Sequence, residues 1–144
     1  MFASVQVVVS SRPGLVAPQT IHLGGIIGEY CTPSVSAEGL VCVPVNDVAH
    51  ILGPHGERIA SFTSEDVGFE EDFRGSAFDD VHGLLLLGDC RHGGVAAVDI
   101  ATREVRWRVS DGLNNVHGIA VLPEVRERGL QSWGISLTAS LLRK

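Results

Sequence analysis

The chain has 144 residues, 44% of them hydrophobic and 19% charged, with a formal net charge of −6. That length and apolar content suit one domain with its own core and exclude a disordered chain. The acidic balance argues against nucleic acid or an anionic membrane as the main partner, since both select a cationic face, although Arg103, Arg106 and Arg108 lie close together.

Seventeen glycines and six prolines punctuate the chain, which favours many short strands over a few long helices. At the start, FASVQVVVSS, the turn RPG and LVAPQTIHLGG read as the third and fourth strands of one sheet unit. The N-terminus has no cationic stretch before its apolar run and no small-residue cleavage site, so no secretory signal is expected. No apolar run is long enough for a membrane span. A soluble, cytoplasmic protein is the expectation.

From Thr32 a pattern begins that repeats. TPSVSAEG is followed by an apolar run after Gly39, a polar turn at 45–47, the run AHIL, the turn GPHGE and RIASF. From Phe73 the order returns: FRGSAFDDVHG, the run LLLL after Gly83, GDCRHGG, VAAVD, IATRE and VRWRV. A third copy starts at VHGIAVLPE. With Pro33, Arg74 and His117 taken as equivalent, the spacings are 41 and 43 residues. Strands are therefore predicted near 40–44, 49–53, 58–62, 83–88, 95–100 and 104–109. Leu84 to Leu87 are apolar on both sides, as in a strand buried on both faces. In VRWRV, Trp107 is expected to pack inward with the flanking arginines wet. The tail QSWGISLTAS alternates with period two and reads as a strand.

Four short strands per unit at a period near 40 residues is the signature of β-propeller blades. The chain reads as a single all-β domain over 1–144, made of four-stranded antiparallel units. A partial blade covers 1–27, blades cover 28–66 and 67–111, and a partial blade covers 112–144. About three blades fall short of the four to eight of closed propellers. The expectation is that two copies joined head to tail form a homodimer completing a six-bladed ring; the rival is a non-functional fragment of a longer propeller.

The stretch NDVAHILGPHGERIASF resembles the NHL repeat: Asn46 holds its turn Asn, Ile51-Leu52 its strand, Pro54 and Gly56 its Pro-x-Gly turn, and Phe62 its final aromatic. GEYCTP at 28–33 is similar to the Gly-x-Phe-x-x-Pro lead-in, and NNVHGIAVLPE looks like the start of another repeat. The likeness covers roughly residues 20 to 123. Arg74 and Val116 stand where the family usually has Pro, and EVRERGLQ lacks the expected Asp-Gly turn. The resemblance implies a propeller that binds a protein or small molecule through its inter-blade loops, with RNA disfavoured by the acidic balance. The candidate surface comprises Arg74, Asp89, Arg91, His92, Asn115 and His117.

The second functional class is a metal-assisted hydrolase. DGLNNVHGIAVLP is similar to a segment of gluconolactonase-type propellers in which an Asn before the Gly binds a divalent cation. His117 takes that place here, whereas hard cations prefer oxygen. Asp89 offers one carboxylate, with no partner Glu in evidence. Cys31, Cys42 and Cys90 are widely spaced, without a Cys-x-x-Cys pair, and Cys90-Arg91-His92 supplies too little for a zinc site. No Gly-x-Ser-x-Gly, phosphate-binding Gly loop or His-Glu-x-x-His occurs. The reading expects no catalytic residues, metal or cofactor. The acidic stretch Glu65, Asp66, Glu70, Glu71 and Asp72 reads as a solvated inter-blade loop, the alternative being a contact with a cation or a basic peptide.

Overall fold

The computed structural model describes residues 4–7, 19–23, 32–89, 91–110, 113, 116, 118–122, 125–127, 130–132 and 135–138. Every regular element among them is a strand, apart from one turn of 3₁₀ helix at Glu65–Val67. The chain is all-β, and no described helix is long and apolar enough to cross a membrane.

Strands β1 (Ser4–Val7) and β2 (Gln19–His22) pair antiparallel, from Ser4 opposite His22 to Val7 opposite Gln19. Next comes a four-stranded meander of β3 (Ser34–Val35), β4 (Val41–Val45), β5 (Val48–Leu52) and β6 (Arg58–Thr63). A second meander follows: β7 (Phe73–Asp79), β8 (Leu84–Asp89), β9 (Val95–Asp99) and β10 (Val105–Val109). The six strands predicted for these two units all form, within two residues at either end. Beyond them, β11 (Gly118–Val121) pairs with β14 (Ile135–Thr138) around the small hairpin of β12 (Val125–Glu127) and β13 (Leu130–Ser132). The alternating tail, expected as one strand, is divided: Gln131 and Ser132 end β13, whereas Ile135–Thr138 form β14 in a different sheet, and EVRERGLQ holds β12 and the start of β13, a hairpin the sequence pattern did not suggest. Cys31, Cys90, Asn115, His117 and Trp133 lie outside the described residues.

Among the described residues, each turn within the two meanders contains one residue at positive φ. In the first they are Gly39, Asn46 and Gly56, and in the second Gly83, Gly93 and Arg103. Gly39 and Gly83 occupy matching places between the first and second strands of their units. Asn tolerates the left-handed region because its short polar side chain bonds locally, whereas Arg103 enters it at φ 63° at the cost common to L-residues. The repeat is therefore written in backbone conformation as well as in apolar runs.

Both sheets bury both faces. Between them lie Cys42, Ala49, Ile51 and Phe62 from the first sheet against Leu85, Leu87, Ala96 and Val98 from the second, joined by Val67, Phe69 and Phe73. The far face of the first sheet packs Val41, Val43, Val45 and Leu52 with Leu23. The far face of the second packs Leu86, Val95 and Ala97 with Val116 and half-buried Ile119. Period-two alternation sends Leu85 and Leu87 one way and Leu86 the other, and all three are fully buried. Trp107 is half-buried against the same far cluster, so it turns inward as expected without being enclosed.

Strand β7 packs beside β3 and β4 on one side and β11 on the other, so the first strands of successive units run side by side. Thr32 donates its N–H to the Arg74 carbonyl at 3.0 Å, and the Ser34 and Ser76 hydroxyls meet at 2.8 Å. Both carboxylate oxygens of Asp80 accept the Ala37 N–H at 3.0 Å. This arrangement is that of propeller-like blades, and the described sheets do not close into a ring.

Candidate functional site

In the second meander the start of β7, the end of β8, the start of β9 and the end of β10 share one end of the sheet. Four of the six sequence candidates gather there. Arg74 sits in a bulge, the extra residue between the pairs Phe73–Asp89 and Gly75–Gly88. Bulges re-aim side chains and recur beside functional sites.

Asp89 ends β8. Its N–H donates to the Gly94 carbonyl at 2.8 Å, closing the turn. Its Oδ1 accepts the N–H of Arg91 at 2.9 Å and of His92 at 3.3 Å, the local bonding that makes Asp a turn former. The carboxylate that the hydrolase reading offered to a metal is thus tied by one oxygen to its own turn, and Asp89 is only 2% exposed.

The segment from Ser64 to Asp72 crosses from β6 to β7 at the same end. Thr63 and Asp66 cap one another: the Thr63 N–H donates to Asp66 Oδ2 at 2.8 Å, and the Asp66 N–H to Thr63 Oγ1 at 3.1 Å. Phe69 turns into the inter-sheet core and meets Phe73 edge to face at 6.1 Å. Its neighbours Glu70 and Glu71 turn outward to the basic turn. Arg91 Nε lies 2.7 Å from Glu71 Oε2, and its second nitrogen donates to Oε1 at 3.2 Å, a two-pronged contact. His92 Nε2 lies 3.9 Å from both Glu70 and Glu71. The acidic stretch read from sequence as solvated therefore finds part of its partner within the chain.

Arg108 arrives from β10. Its guanidinium carbon stands 5.8 Å from the centre of the Phe69 ring, and it donates to the Val67 carbonyl at 3.4 Å. Between these parts opens a cleft of about 200 Å³, lined among others by Phe69, Glu70, Asp89, His92, Arg108 and Ser110. Asp89 and His92 were legible as candidates, and Glu70 and Glu71 only as members of an acidic connection whose alternative reading was a cation or basic-peptide contact; Phe69 and Arg108 were not. The available signal was complementarity, since an acidic connection one strand pair away from a basic turn invites pairing.

At the opposite end, Asp99 accepts the N–H groups of Ala101 and Thr102 and takes Arg106 at 2.7 Å. The Arg106 hydrogen bond, ahead of the backbone bonds, holds the Asp99 carboxyl below its ordinary value. The arginine group at 103–108 is thus divided: Arg106 pairs with Asp99 at one end while Arg108 stacks at the other. Also at that opposite end, His82 Nδ1 meets Asp79 at 2.6 Å. Among the described residues no three His, Cys, Asp or Glu side chains are grouped to hold a metal ion.

No protein-family model matches the sequence, and a search of curated proteins finds no match. What the site can do follows from its geometry alone.

Proposed function

We propose that the chain is an NHL-like propeller interaction module that binds a protein or small ligand through its inter-blade loops. One observation carries the reading. The turn after β8, the connection from Ser64 to Asp72 and the end of β10 converge on one cleft, and Asp89 and His92 line it. Loops held by a rigid scaffold are where binding residues concentrate. The repeat likeness is supported by placement. Asn46 takes the positive φ of the β4–β5 turn, Gly56 that of the β5–β6 turn, and Phe62 near the end of β6 is buried between the sheets.

The test compares the two ends of the sheet. Full-length tagged protein carrying Glu70→Lys with His92→Glu is compared with the wild type and with Glu104→Lys at the far end, and retained partners are quantified. A partner lost with the first variant and kept with the second is expected. One lost only with Glu104→Lys would place the surface at the wrong end.

A further inference from the structure

We infer that the cleft between Phe69, Asp89 and Arg108 receives a lysine side chain from a protein partner. The inference rests on the interaction-module reading and adds the chemistry of the contact.

The argument begins with an incomplete carboxylate. Asp89 is 2% exposed, and its Oδ1 is occupied by two backbone N–H groups, yet among the described residues its Oδ2 accepts no hydrogen bond. A buried carboxylate oxygen without a donor is costly, and Asp89 lines the cleft, where a donor can reach it.

The donor's charge follows from how the neighbours are used. Of the positive groups nearby, Arg74 in the bulge opposite Asp89 is already engaged in an interaction of its own, Arg91 is held by Glu71 in its two-pronged contact, and Arg108 is stacked on Phe69 and bonded to the Val67 carbonyl. Among the described residues, Glu70, whose side chain is 88% exposed, has only His92 at 3.9 Å. Two carboxylates, one buried and one at the mouth, therefore face the cleft with weak compensation. A cation satisfies both.

The donor's shape follows from the walls. About 200 Å³ holds the equivalent of six or seven waters at about 30 Å³ each, enough for one long side chain and too little for a folded element. The part of Phe69 that lines the cleft beside Arg108, with Gly68 and Gly94, gives a wall for a methylene stem, and the acid supplies the polar end, the division a lysine requires. The tip is a compact ammonium with three donors, which suits a single open oxygen better than a planar fork does.

n-Butylammonium chloride titrated into the full chain, with amide NMR as readout, tests this. Saturable shifts are expected at the Arg91, His92 and Gly94 amides, at about millimolar affinity for so small a probe, with no such shifts from n-butanol. Asp89→Asn keeps an oxygen for the Arg91 and His92 N–H groups, so the turn persists while affinity falls at least tenfold. Glu70→Gln, at an exposed position, weakens binding several-fold and serves if Asp89→Asn does not fold. Shifts absent with butylammonium, affinity unchanged in the foldable variants, or sodium butyrate taking the cleft instead would each overturn the inference. If a partner is still lost with the Glu70→Lys and His92→Glu variant while butylammonium fails to bind, the lysine assignment falls and the interaction reading stands.

Discussion

Arg108 lies across the backbone of Gly68 to reach the Phe69 ring, and a methyl group on Gly68 would collide with its guanidinium. Gly68 also ends the 3₁₀ turn at φ 75°, donating its N–H to the Glu65 carbonyl at 3.0 Å. One residue thus sets both the path of the inter-blade connection and the seat of the arginine. Gly68→Ala is expected to cost about 1–2 kcal/mol in backbone strain, and a further ~0.5–1 kcal/mol because Arg108 must leave the ring. Arg108→Ala removes only the second part. In a double-mutant cycle by denaturant unfolding, the Gly68→Ala penalty shrinks when Arg108 is already Ala. Equal penalties in both backgrounds would mean that the stack contributes nothing.

The two-sided burial of the second sheet gives a sharper expectation. Leu86 and Leu87 are neighbours in sequence and point to opposite faces, and both are fully buried. Each change to Ala should lower unfolding free energy by roughly 2–5 kcal/mol. In a sheet with one wet face, one of the two would be nearly silent. Trp107→Ala should cost less than either, because Trp107 is half-buried on an outer strand whose other residues are exposed. A silent Leu86→Ala would show that the face toward Val116 is not packed.

The contrast between these residues shows what was legible. Apolar runs bracketed by glycines define strands because the period is local, so β4 to β6 and β8 to β10 could be placed from sequence. Burial on both faces was readable in LLLL for the same reason. The partners of charged side chains were not. Glu71 and Arg91 lie twenty residues apart and meet only because β7 and β8 bring the connection over the turn. Arg108 reaches Phe69 across 39 positions for a similar reason, and nothing in VRWRV distinguishes it from Arg106, which pairs locally with Asp99. Asn115 and His117, proposed with the others, lie outside the described residues.

Arg103 offers a stabilising change. It holds the left-handed turn position that glycine holds at 56 in the equivalent turn of the first meander. Its N–H donates to the Asp99 carbonyl at 2.8 Å, which the substitution preserves. Relieving an L-residue at positive φ returns about 1–2 kcal/mol, and the added chain entropy of glycine removes about 0.5–1 kcal/mol of that. Arg103→Gly should therefore raise the thermal midpoint by a few degrees, roughly 2–4 °C per kcal/mol at this length. Asn46→Gly should change it less, since Asn already tolerates the conformation. A lowered midpoint for Arg103→Gly would mean that the arginine side chain is stabilising enough to outweigh the strain.

The last expectation concerns acid. His50 lies on β5, opposite Val43 on one side and Ser61 on the other. Burial, and secondarily the charge of Arg58, push its imidazole below the usual 6.5. A depressed histidine means that the folded chain binds its proton less readily than the unfolded chain. Stability from this group is therefore complete above pH 6.5 and is lost as the pH falls below that value, through the lower folded value. Asp99 acts in a different window. Its carboxyl lies below 3.8 when folded, so its contribution persists until the pH falls under that figure. Thermal melts between pH 7.5 and 5 should show a progressive loss of stability in the wild type. In His50→Gln that slope should flatten, because Gln does not titrate. An identical slope in wild type and His50→Gln would remove His50 as its source.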